Sequence, residues 1–129
     1  MTAELLELKK ATIDGMFKYM QFGAADDADD PAYDPAFDAG YSQQHIDQCA
    51  TIVDELFATL ARVSEPDRSE SIRTAVKVAV LALNQLNDEC GSSLIETDQR
   101  EALCALISAA AAHAGWESSG DLTEEWREW

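Results

Sequence analysis

The chain is poor in the side chains that most often carry chemistry. Two histidines occur in 129 residues, His45 and His113. A di-metal carboxylate site in a helical bundle needs a Glu-x-x-His motif from each of two helices. Ser42 and Ala110 stand three residues before the histidines, so the motif is missing. Local helix stabilisation is the simpler reading of both, since His113 falls at a helix C-terminus where a cation complements the dipole. The three cysteines, Cys49, Cys90 and Cys104, are odd in number and far apart, with no CxxC pair. That pattern predicts no disulfide framework and suits a reducing cytoplasm. Cys49 and Cys104 sit among apolar residues at helical spacing and read as buried, whereas Cys90, beside Gly91, is expected to be more exposed. No Gly-x-Ser-x-Gly elbow, Walker sequence or Gly-x-Gly-x-x-Gly occurs. The expectation is a chain without a catalytic site, metal or cofactor.

Basic residues are scarce too. Nine Lys and Arg face twenty-five Asp and Glu, for a net charge of −16. Such a surface repels nucleic-acid phosphates and anionic membranes, which removes both as expected partners, and steers the chain toward basic proteins. The competing reading is that the acidity serves solubility, as in organisms of high salt. Long apolar runs are missing, and none approaches the ~20 residues of a membrane-spanning helix. The chain opens Met1-Thr2-Ala3-Glu4 and continues amphipathically, without a basic region and apolar run that would predict a secretory signal.

What remains is helix. The apolar share of 47% is enough for one core, and one domain over 1–129 is expected. The first helix is expected from Thr2, a capping residue, to Phe22, with Leu5, Leu6, Leu8, Ile13, Met16, Phe17 and Met20 on one face. Gly15 inside it weakens the helix or marks close packing. The second runs from Ser42, its cap, to Val63, on a stripe of Ile46, Cys49, Ile52, Val53, Leu56, Phe57, Leu60 and Val63. The third covers Ser69 to Glu89, where Val78 and Leu81 widen the apolar face, so that it should be the most buried. The fourth covers Thr97 to Ala114 and stops at Gly115. Asp121, three residues before Glu124, has capping-box spacing for a short terminal helix that carries Trp126 and Trp129 back onto the bundle. The predicted fold is all-α: a four-helix antiparallel bundle with a long acidic crossover and a short C-terminal helix.

The crossover, residues 23–41, holds six aspartates and no basic residue. Inside it lies a near-repeat, Pro31-Ala32-Tyr33-Asp34 then Pro35-Ala36-Phe37-Asp38, with Tyr41 on the same four-residue step. An EF-hand register fails, since counting from Asp26 or Asp27 puts Phe37 or Asp38 at the twelfth position, where Ca²⁺ needs Glu. Two readings stand. In one, Asp26, Asp27, Asp29, Asp30, Asp34 and Asp38 form a charged rim around the aromatic anchors Tyr33, Phe37 and Tyr41, and the segment grips a partner. In the other, the rings pack onto the bundle and the aspartates are its solvated edge. Asn84, Asn87 and Asp88, polar within an apolar helix, mark a different candidate: a helical enzyme or small-ligand site.

From Asn84 on, the chain resembles a family of small bacterial helical proteins of unknown function. The residues concerned are Asn84-Gln85-Leu86-Asn87-Asp88-Glu89, Gly91-Ser92, Ile95-Glu96-Thr97 and Arg100-Glu101, together with the acidic, Trp-terminated stretch Leu122 to Trp129. Cys90 stands where the family carries an aromatic, and Ser93-Leu94 where it carries one acidic residue. The resemblance implies an all-α bacterial protein and no named activity. Together the features predict a non-catalytic inhibitor, in the manner of immunity proteins and antitoxins. It would neutralise a basic toxin or nucleic-acid-binding protein, and a nucleic-acid mimic occupying a basic groove is a close variant.

Overall fold

The computed structural model describes residues 3–23, 29–34, 36, 38–117 and 122–129. Among them are four helices and no strand: α1 (Ala3–Phe22), α2 (Gln43–Leu60), α3 (Arg68–Glu89) and α4 (Thr97–Ala114). Each lies within three residues of its expected bounds. Thr2, Asp121 and the Gly23-to-Tyr41 positions Asp26, Asp27 and Phe37 lie outside the described residues. Residues 122–126 form turns rather than the expected short terminal helix.

α2 packs along α3 and α1 along α4, with α1 also against α2. The α2 stripe is buried as its spacing requires: Ile46, Cys49, Val53, Leu56, Phe57 and Leu60 face inward. They meet Ile72, Val76, Val80 and Leu83 of α3 and Leu103, Leu106 and Ile107 of α4 in one core. α4 ends in a Schellman arrangement. Gly115 N–H donates to Ala112 O at 3.1 Å and Trp116 N–H to Ala111 O at 2.9 Å. Gly115 adopts φ +114°, and a Cβ there would stand 2.7 Å from Arg68 Cδ. The glycine therefore serves both the turn and the close passage of Arg68, whose Nη1 donates to Ala114 O at 3.0 Å.

Two faces differ from expectation. In α1 the buried residues are Leu5, Thr12 and Met16, while Leu6 and Phe17 are 51% and 42% exposed. Thr12 is accommodated because its hydroxyl donates to Leu8 O at 2.8 Å. Gly15 is exposed, and a Cβ added there would meet nothing within 4 Å, so it marks no close packing. In α3 the widened face is not buried. Val78 and Leu81 are 63% and 47% exposed. The core takes Ile72, Val76, Ala79, Val80 and Leu83, one stripe of that helix, and leaves the added residues outside.

Candidate functional site

The acidic crossover is built from its own backbone outward. An irregular segment has no helical partner for its N–H groups, and these need acceptors. Three aspartates supply them. Asp30 Oδ1 accepts from Ala32 N–H at 2.8 Å, Asp34 Oδ1 from Ala36 N–H at 2.9 Å, and Asp38 Oδ1 from Gly40 N–H at 2.8 Å. Each is an Asx turn, the i to i+2 bond that short carboxylates make locally. The four-residue near-repeat in the sequence is thus a train of three such turns.

Its two described rings, Tyr33 and Tyr41, both meet α1. Tyr33 is half-buried and packs edge-on against Phe22 at the end of α1, with ring centroids 6.2 Å apart. Tyr41 is buried, and its hydroxyl donates to Met16 O at 2.8 Å across to α1. Burial, with Tyr19, Cys90 and Glu96 nearby, raises its phenol well above the ordinary value of 10.0. Ala39 is buried beside it. Gly40, at φ +84°, passes so close to the α3–α4 turn that a Cβ would lie 2.7 Å from Ser93 Oγ. Tyr41 therefore belongs to the core and not to an outward-facing anchor set. The single surface on which Tyr33, Phe37 and Tyr41 were expected to align is not formed by the two rings that are described. Asp29, Asp34 and Asp38 are exposed and Asp30 is half-buried.

The polar group of α3 is equally engaged. Asn84 Nδ2 donates to Trp126 O at 2.8 Å, and its Oδ1 accepts from Glu128 N–H at 3.1 Å. Both edges of one buried amide thereby hold the C-terminal segment. Arg73 assists from the same helix, paired with Glu125 and lying 5.2 Å over the Trp126 ring. Asn87 Oδ1 accepts from Ile95 N–H at 2.9 Å and closes the turn into α4. Asp88 and Gln85 point to solvent. Asn84 and Asn87 therefore act as a structural joint.

The histidines follow the local reading. His45 occupies the third position of α2, and its Nδ1 accepts from Ser42 N–H at 3.0 Å, the reciprocal half of a capping box. His113 is exposed in the last turn of α4. Among the described residues, no three His, Cys, Asp or Glu side chains gather in a way that could hold a metal ion. Cys90 is buried, contrary to expectation, and Cys104 is half-buried with its sulfur 3.5 Å from Thr123 Oγ1. Burial pushes the Cys49 thiol from 9.0 up to about 12, so it stays a neutral core side chain. Among the described residues, no helix is long and apolar enough to cross a membrane.

No family model, curated protein or solved structure matches the chain.

Two hollows stand out on that surface. One, of about 500 Å³, lies between Leu5, Phe57, Leu60, Val63 and Ala110. Its cation Arg68 is already held by Glu65 at 3.1 Å and by Ala114 O. The other is an open trough of about 770 Å³ between α2 and α3, with Val78 in its wall. A smaller hollow of about 440 Å³ continues it, and the two share Ile52 and Ala82.

Proposed function

We propose that this chain, an antiparallel helical bundle, is a non-catalytic binding protein of the immunity-protein or antitoxin type. It neutralises a basic bacterial toxin or nucleic-acid-binding protein through its acidic surface. The observation that carries the reading is the charge excess. If all nine cations were paired one to one, sixteen of the twenty-five carboxylates would still lack a counter-charge. Their mutual repulsion works against the compact state, and a basic partner relieves it. The exposed carboxylates of the crossover, Asp29, Asp34 and Asp38, belong to this surface, with Asp26 and Asp27 beside them in sequence. The family resemblance implies a bacterial protein, and the three cysteines, none of them in a disulfide, suit a reducing cytoplasm.

The test is capture of a basic protein on the immobilised chain, followed by association kinetics with that protein across a salt series. Exposed charges are screened over about 8 Å at physiological ionic strength. The association rate is expected to fall as salt rises. A rate that stays constant between low and high salt would refute charge-steered neutralisation.

A further inference from the structure

The α2/α3 trough combines two properties. Its wider part is lined mainly by apolar residues, Ile52 and Leu56 from α2 and Ala75, Val78, Ala79 and Ala82 from α3, with Thr59, Ser71 and Thr74 among them, and the smaller hollow that continues it is lined mostly by polar residues. Its rims are acidic: Asp47 and Glu55 on one side, Asp67, Glu70 and Glu89 on the other, with Arg62 the one cation among the lining residues. Val78 is the most exposed large apolar side chain described, and Leu81, one turn further along α3, lies beside it. Alanines in the floor allow a backbone to approach closely. The lining on α2 extends from Gln44 to Thr59, about 22 Å at the helical rise.

We infer that this trough docks one amphipathic helix of a basic partner, apolar on the face it buries and carrying Lys or Arg along both flanks. The shape is that of helix-in-groove recognition, in which residues at i, i+3, i+4 and i+7 of the bound helix enter an apolar channel. The charges select the occupant. Five rim carboxylates against one guanidinium match cationic flanks on both sides of a bound helix. A second copy of this chain would set the same carboxylates against each other, each copy bearing a charge of −16, and like charges across an interface disfavour it. The inference rests on the acidic-binding reading above and gives it a surface: the groove supplies affinity, and the crossover contributes only long-range charge.

The probe is a fluorescein-labelled synthetic helix of eighteen residues with leucines on one face and lysines on both flanks. Its control keeps the lysines and replaces every leucine with serine. Anisotropy titrations at low salt are expected to show the leucine peptide binding at least about tenfold more tightly than the control. Val78→Asp is the deciding variant, because it removes the apolar wall while adding negative charge. It is expected to weaken the leucine peptide about tenfold. Thr59→Trp, which fills the trough from the exposed wall of α2, is expected to do the same should Val78→Asp fail to fold by circular dichroism. A combined Asp29→Asn, Asp34→Asn, Asp38→Asn variant, which removes long-range charge only, is expected to weaken both peptides alike and to keep the parent's ratio between them. Equal or tighter binding by Val78→Asp, or loss of binding in the crossover variant alone, would overturn the groove and leave the acidic-binding reading standing. If neither peptide binds at low salt, both readings fall. A parent that sediments as a dimer and becomes monomeric on Val78→Asp would assign the trough to a second copy and overturn the inference.

Discussion

The acidic crossover and the α2/α3 trough exchange the roles that their sequences suggest. The crossover carries the residues of an interface, aspartates and aromatic rings, yet much of that chemistry turns inward. Three of its carboxylates hold its own backbone, Tyr33 packs on Phe22, and Tyr41 is bonded to Met16 O. The trough carries a residue of core type, Val78, with Leu81 beside it on α3, yet both face solvent. The difference teaches that an irregular segment must satisfy its backbone before its side chains are available to anything else. A helix satisfies its backbone internally and can leave apolar side chains outside.

The comparison breaks most visibly at Tyr41 and Val78. Tyr41→Ala empties a buried aromatic site and is expected to cost about 3 kcal/mol in urea denaturation. Val78→Ala, at an exposed helical position, is expected to stay within about 0.5 kcal/mol of the parent. Equal effects would mean that the two regions do not differ as described. Tyr41→Phe isolates the hydroxyl and should cost about 1 kcal/mol.

Asn84→Leu falls between the two Tyr41 variants in size. It leaves the Trp126 carbonyl and the Glu128 N–H without their bonds, and about 2 kcal/mol is expected. Hydrogen exchange should report it locally, with the Glu128 amide losing protection first. Unchanged exchange at Glu128 would remove the structural account of Asn84 and reopen it as a ligand contact.

Alkaline pH gives a further contrast between core and surface. The folded thiol of Cys49 and the folded phenol of Tyr41 both lie above their ordinary values. Groups raised in this way are neutral in both states at low pH and ionise more readily in the unfolded chain. Their contribution is therefore complete below pH 9 and declines as pH rises from 9 toward 12. The melting temperature is expected to fall over that window, and Cys49→Ala should flatten part of the fall. A melting temperature constant to pH 12 would contradict the burial of both groups.

Residue by residue, the Asx turns contribute little. Replacing Asp30, Asp34 and Asp38 with Asn keeps an acceptor oxygen at each turn, and melting should match the parent. Replacing the same three with Ala should cost about 0.5 kcal/mol each, at the low end for a hydrogen bond because the sites are largely exposed. If the Asn and Ala sets melt alike, the turns contribute nothing.

Much of the framework was legible in the residues. Periodic apolar positions determined four helices and the inward face of α2, because burial of a stripe is the main source of helical stability in a protein of this size. Gly115 marked the end of α4, since few other residues adopt a positive φ. The charge of −16 is a property of composition and needs no fold. Other features depended on which elements meet. Ser42-Gln43-Gln44-His45 hid a capping box, because a ring nitrogen stood where Glu or Gln is usual. The four-residue step in the crossover reads as helical spacing until the Asx bonds show a series of turns. No local pattern could have announced that Tyr41 reaches Met16 O, that both edges of Asn84 hold the C-terminal segment, or that Val78 lies outside. Those outcomes are set by partners 25 or more residues away in the chain, and by how much of an apolar face the neighbouring helices cover. Periodicity states that a face is apolar; only the packing of α2 against α3 decided where that face stops being core.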